Sequence, residues 1–187
     1  MIAAMNLHVL SPAHIPAASQ PLLAGIAADV GLVPNLAAAA AASPTLLAAF
    51  DALRRTVADP TFSPVHREIT GVAVGVAVDN AYGVAFHSTM LAGLGVDEAE
   101  IDAMRAGSEP SDPVHAAVYA FARQVVLDRG KVADDVVERA HSAGLTDADL
   151  LQLVAECAFA GLVGTIDNLA GRVPLDDFLQ PRAWKGV

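Results

Sequence analysis

The chain has 187 residues, 54% of them hydrophobic, with 11 Lys and Arg against 21 Asp and Glu and a formal charge of −10. That length suits one domain, or two small halves packed as one. The acidic balance, without any basic cluster, argues against nucleic acid and anionic membrane surfaces as partners, while a mean hydropathy of +0.46 invites a buried interface between subunits.

The first 20 residues, opening MIAAMNLHVLSPAH, place no positive charge ahead of an apolar block. They do not read as a secretory signal and are expected to form an arm, carrying His8 and His14, ahead of a helical domain over 21–171. Residues 172–187 form a tail, and the N-terminal arm and this tail, with Trp184 near its end, are expected to wrap a neighbouring subunit. Within the domain, Pro34-Asn35 precedes an alanine-rich run to Ala42, and Ser43-Pro44 opens a helix over Thr45 to Ala58. Ser43 is placed to cap that helix and Pro44 to occupy its first position. Ser63-Pro64 repeats the signal ahead of Glu68, with His66 near the start, and Asp112-Pro113 does so again beside His115, for a helix running to about Arg129 and stopping at Gly130. His141 falls near the end of the helix around Val136, where a positive charge is mildly favourable. Thr146 with Asp149 starts the last long helix, which Gly171 ends. Inside it, Gly161 and Gly164 read as a close helix-packing face.

GVAVGVAV (Gly71 to Val78) alternates with period two, as a strand does. Ile69, Val72, Ala73 and Val76 also keep helical spacing, no hairpin partner follows, and the neighbours are helical, so helix is expected. This run and CAFAGLVGTI (Cys157 to Ile166) fall short of the ~18 residues of a membrane span. A weak repeat links AGLGVDEAEI (from Ala92) to AGLTDADL (from Ala143), each a glycine stop and an acidic start, with Asp97/Glu100 and Thr146/Asp149 placed to cap. Two related helix-turn-helix units explain it; so does chance in an alanine-rich helical chain. The fold class is all-α.

The segment REITGVAVGVAVDNAYGVAFHSTM (from Arg67) carries the chemistry. Glu68 lies on one apolar stretch and His87 on the next, with an Asp79-Asn80 turn between. A carboxylate among small apolar residues would be desolvated and usable as a general acid or base; a charge stabilised near a helix N-terminus is the plainer reading. Histidine as a residue type suits proton transfer, and a carboxylate partner would orient the His87 ring; a satisfied structural histidine is the plainer reading. Asn80 suits the cap of the His87 helix. Gly83, one turn before His87, leaves space for a ligand or water, or lets another helix approach. Tyr82 offers a hydroxyl to the same place, or is an ordinary half-buried tyrosine. No HxH, HExxH or carboxylate cluster has ligand spacing, so neither metal nor other cofactor is expected. The lone Cys157, in an apolar run, rules out an internal disulfide, fits a cytoplasmic setting, and reads as a buried inert thiol.

GLVPNL (from Gly31), SPTLLAAFDAL (from Ser43) and the Glu68-to-His87 segment together resemble the carboxymuconolactone decarboxylase family, and within it the alkylhydroperoxidase D-like (AhpD-like) branch. The family pattern has a glutamate, a CxxC beginning twelve residues later and a histidine four residues after the second cysteine; Glu68, Asn80, Gly83 and His87 hold those places. The resemblance implies an AhpD-like helical bundle that assembles as a homo-oligomer (dimer, trimer or hexamer), and in thiol-bearing members a peroxidase cycle with Glu and His relaying protons. With Asn80 and Gly83 at the cysteine places, the thiol chemistry does not carry over. Three functions are expected in turn: acid/base chemistry of Glu68 and His87 on a small organic acid or lactone-like metabolite, with Asn80, Tyr82 and Gly83 near the substrate; a non-catalytic oligomeric scaffold; and, well behind, a peroxidase.

Overall fold

Local capping decides where most helices begin. The computed structural model describes residues 9–10 and 12–185, so His8 lies outside the described residues. Among the described residues nine α-helices run in order: α1 Gln20–Val30, α2 Asn35–Ala40, α3 Pro44–Val57, α4 Pro64–Ala77, α5 Ala81–Gly93, α6 Glu98–Arg105, α7 Pro113–Leu127, α8 Asp134–Ser142 and α9 Asp147–Leu169. No strand occurs among the described residues. The Ser43 hydroxyl accepts from the Leu46 amide at 3.2 Å and that of Ser63 from the His66 amide at 3.3 Å. Asp112 accepts from the Val114 and His115 amides, each at 2.9 Å. Thr146 and Asp149 form the expected reciprocal capping box. Its counterpart does not form: Asp97 caps α6 alone, through the Ala99 amide at 2.8 Å, because Glu100 turns away to take the Ser111 amide at 2.8 Å.

The valine-rich run is helical, as α4. Its period-two pattern arises because α4 is the central helix, with every residue from Glu68 to Gly75 buried, and a helix enclosed on all sides shows no polar face. The turns that end α5 and α8 share one geometry, although the repeated AGL letters lie two residues out of register with it: Gly93 is still helical and Gly95 is the counterpart of Gly144. In the first, Gly95 has φ +80°, and the Val96 and Leu94 amides return to Leu91 and Met90. In the second, Gly144 has φ +94°, and the Leu145 and Ala143 amides return to Ala140 and Arg139. The left-handed glycine is required at both, and each closes a helix by the same double hydrogen bond.

Besides a small cluster around Trp184, two large apolar clusters make most of the core among the described residues. One gathers Ile69, Val72, Phe121, Leu153 and Cys157 from α4, α7 and α9. The other joins Ile26, Leu36, Leu47, Phe50, Tyr82 and Val163 from α1, α2, α3, α5 and α9. The 23-residue α9 serves both, and is long and apolar enough by length and composition to cross a membrane. The shorter apolar run inside it understated that property. Gly164 is a close-packing position: a Cβ there would lie 2.7 Å from Val78 Cγ2. Gly161 is not, having nothing within 4 Å of that point.

The tail corrects an expectation. Trp184 was expected to reach a neighbouring subunit, yet it is buried against Ala81 and Val84 of its own chain, and its indole N–H donates to the Arg105 carbonyl at 3.0 Å. Arg105 answers with bonds to the Arg182 and Ala183 carbonyls, both 3.0 Å. A single large aromatic at the end of a polar segment suffices to pin that segment at home.

Candidate functional site

Two helix starts set the site. α4 begins at Pro64 and places Glu68 on its second turn; α5 begins after Asn80, whose side-chain oxygen accepts from the Gly83 amide at 2.9 Å, and presents His87 two turns along. The link between them is tight: Asp79 takes the left-handed conformation (φ +56°) and is held by Arg172 at 2.7 Å and Lys185 at 3.2 Å. Asp is one of the few residues that tolerate this backbone. The antiparallel return brings Glu68 Oε2 to 2.7 Å from His87 Nδ1. Both side chains are nearly buried, at 11% and 13% exposure. A carboxylate only accepts, so the bond puts a proton on Nδ1 and leaves the Nε2 lone pair for a ligand. No described protein group hydrogen-bonds Nε2.

Gly71, one turn beyond Glu68, was not anticipated from sequence. A Cβ there would stand 2.3 Å from three ring atoms of His87. The imidazole therefore lies directly on the α4 backbone, and only glycine permits it. Gly75, one turn further, does the same for Val84, whose Cγ2 lies 2.9 Å from the corresponding point. The signal was present in the GxxxG spacing of α4, which brings helices together.

A cavity of about 390 Å³ opens beside the ring, within the usual size of ligand sites. Leu36, Phe50, Phe86, Met90, Phe159 and Val163 make most of its wall, and Phe178 of the tail adds to it. His87, Tyr82 and Gly83 also line it; Glu68 and Asn80 do not. Asn80 is fully buried in its capping role, and its amide fills the side-chain position of Gly83, where a Cβ would lie 2.3 Å from Asn80 Nδ2. The room expected from Gly83 is thus taken on that side by Asn80. The Tyr82 hydroxyl is engaged as well, donating to Asp176; burial first, and then Asp176, push its pKa far up. The hydroxyl is thus already partnered, although Tyr82 lines the cavity.

Three further groups complete the electrostatics. Among the described residues Arg54 is the one Lys, Arg, Asp or Glu on the cavity wall. Its Nε donates to Asp51 at 3.0 Å, and its Nη2 to Asp51 at 2.7 Å and Asp29 at 2.6 Å. Glu156 of α9 is buried and accepts from Arg67 at 3.2 Å; burial raises its pKa against the pull of Arg67. Cys157 is buried behind it, its thiol pushed up to about 12 by burial and by Glu156, so it stays protonated and inert. His66 and His115 stack edge to face 6.4 Å apart at the starts of α4 and α7, and His141 pairs with Asp147 at 3.0 Å. Among the described residues no group of three or more His, Cys, Asp and Glu is placed to hold a metal.

Residues 44–124 match the model of the carboxymuconolactone decarboxylase family. No curated protein sequence matches the chain. Solved structures share its fold from end to end. The alkylhydroperoxidase AhpD core of an uncharacterized peroxidase-related protein from Ralstonia eutropha JMP134 is 24% identical with a TM-score of 0.79, over 99% of this chain and 100% of that one. The debrominase Bmp8, in a cysteine-to-alanine form complexed with 2,3,4-tribromopyrrole, is 15% identical with a TM-score of 0.74, over 96% and 97%. A peroxidase-related protein from Silicibacter sp. TM1040 is 19% identical with a TM-score of 0.74, over 94% and 93%. Through its segment 44–124 the chain is similar to the carboxymuconolactone decarboxylase family, and it has the all-helical fold of these AhpD-like structures without the paired cysteines.

Proposed function

We propose that this protein is an acid/base enzyme acting on a small organic acid or lactone-like metabolite, by proton transfer next to a carbonyl. The observation that carries the reading is the 2.7 Å bond from His87 Nδ1 to Glu68, which leaves Nε2 beside the cavity. Nε2 removes a proton from the carbon next to the carbonyl, the electron pair passes into the enolate, and Glu68 stabilises the imidazolium that forms. The same nitrogen returns the proton at a second position. Within the site Glu68 is a positioning residue and His87 the catalytic one, while Tyr82 and Gly83 shape the cavity and Asn80 holds the start of α5. A cytoplasmic setting and a homo-oligomer belong to this reading; Leu151 and Val154, 70% and 42% exposed on α9, supply an apolar stripe that a second copy would cover.

The open cavity favours an enzyme over a scaffold, which needs no space beside His87. The buried, protonated Cys157 disfavours a thiol peroxidase. A debrominase of the same fold holding a small apolar ring, 2,3,4-tribromopyrrole, agrees with a small apolar guest here. The test is a metabolite screen followed by His87→Ala and Glu68→Gln. Turnover should vanish in the first and fall about a hundredfold or more in the second, with helicity retained. Unchanged turnover in folded His87→Ala ends the proposal.

A further inference from the structure

The charge at the cavity wall restricts what the cavity can hold. Four side chains form one cluster there: Arg54 and Arg55 of α3, Asp51 one turn before them, and Asp29 of α1. Besides the Arg54 bonds, Arg55 reaches Asp51 at 2.9 Å and Asp29 at 3.0 Å. Two guanidinium groups meet two carboxylates, so the cluster carries no net charge. Asp51 is itself only 8% exposed and fully engaged with both arginines. Around this cluster the wall is aliphatic and aromatic, with His87 as the group available to a polar substituent.

We infer that Asp29 and Asp51 set the specificity of the cavity by neutralising Arg54, so that of the two substrate classes proposed above it takes the uncharged, lactone-like carbonyl compound and rejects the organic acid in its carboxylate form. An arginine on an apolar wall would ordinarily bind an anionic guest as a strong bidentate partner. Here Nε and both hydrogens of Nη2 are already spent on carboxylates, so the side-on pair (Nε with Nη2) and the end-on pair (Nη1 with Nη2) are both closed, and Nη1 alone offers no bidentate grip. A carboxylate entering the cavity loses its hydration and meets no free positive charge in return. An uncharged lactone or cyclic ketone loses little on entry and keeps one carbonyl for the imidazole. The inference rests on the acid/base reading only for the identity of that last contact; the charge selection stands without it.

Coumarin and coumarin-3-carboxylate are matched probes, differing by one carboxylate, and their binding can be read by fluorescence or calorimetry without turnover. Wild-type protein should bind coumarin at least about tenfold more tightly than its carboxylate. Asp29→Asn leaves the cluster with one excess positive charge and should narrow that ratio by about tenfold, whereas Arg55→Gln leaves one excess negative charge and should widen it. Asp29 and Arg55 are the more exposed members, at 36% and 50% side-chain exposure, so both variants spare the core. A wild-type preference for the carboxylate, the same ratio in all three proteins, or binding of neither probe would each overturn the inference. His87→Ala separates this from the acid/base reading: it should leave the charge ratio in place. An intact ratio together with undiminished turnover in that variant faults the catalytic reading alone.

Discussion

Gly71→Ala is the sharpest perturbation of the site, because the conflict it creates is with the imidazole itself. The new Cβ would lie 2.3 Å from His87 Cγ, Cδ2 and Nδ1, whereas carbon atoms in contact sit about 3.5–4.0 Å apart. The ring must withdraw by more than about 1 Å, and the 2.7 Å bond to Glu68 cannot stretch that far and survive. Losing a hydrogen bond to a charged acceptor costs about 1.5–3 kcal/mol, and overpacking a buried contact a further 1–3 kcal/mol or so. Against this stands the gain of about 1 kcal/mol from replacing Gly by Ala in a helix. The net expectation is a loss of roughly 1.5–5 kcal/mol, and a displacement of the ring by more than about 1 Å costs about a hundredfold in rate. Urea unfolding measures the first and turnover of the screened substrate the second. A variant that is more stable than wild type, with the His87–Glu68 bond intact in its crystal structure, refutes the reasoning.

Other substitutions test neighbouring parts of the account. Gly161→Ala is the control, since nothing lies within 4 Å of the added methyl; it should stabilise by up to about 1 kcal/mol in the same urea titration. Trp184→Ala should lower stability by about 3 kcal/mol and leave the sedimentation coefficient unchanged, the reverse of what an intersubunit anchor would do. Burial pushes the Asp51 carboxyl up, but hydrogen bonds from Arg55 and Arg54 outweigh it and hold it below its ordinary value. Its folded value therefore lies under the unfolded one, so its stabilisation is complete above that ordinary range and is lost as pH falls through the depressed value. Asp51→Asn should accordingly be less stable than wild type at neutral pH and converge with it under acid conditions, as followed by thermal melts from neutrality downward. Cys157 should resist a thiol reagent in the folded protein and react only on unfolding.

The features legible in the sequence were those decided by a few adjacent residues. Ser43, Ser63, Asp112 and Thr146 each announce a helix because the cap and the amide it satisfies lie within three positions. Asn80 was readable for the same reason. Glu68 and His87 lie nineteen positions apart, yet they were paired through the resemblance to a spaced motif, and the structure brings them into contact. What stayed hidden depends on packing between distant segments. α1 has no side-chain cap to mark its start. The role of Gly71 becomes visible only once the approach of α5 to α4 is known. The cavity draws its walls from α1 through to the tail, and no local pattern joins Leu36, Phe159 and Phe178. No local pattern singles out Arg54, whose place on the cavity wall depends on carboxylate partners from both α1 and α3. Glu100 misled because Ser111, which claims it, lies eleven residues away across a turn.

The decisive measurement is the tautomer of His87, read from a long-range ¹H–¹⁵N spectrum of protein labelled at histidine and assigned through His87→Ala. With the neutral ring, the account predicts the proton on Nδ1, donated to Glu68, and a bare Nε2 whose resonance moves when an apolar carbonyl compound is added. A proton on Nε2, unaltered by Glu68→Gln and indifferent to any guest, would contradict it.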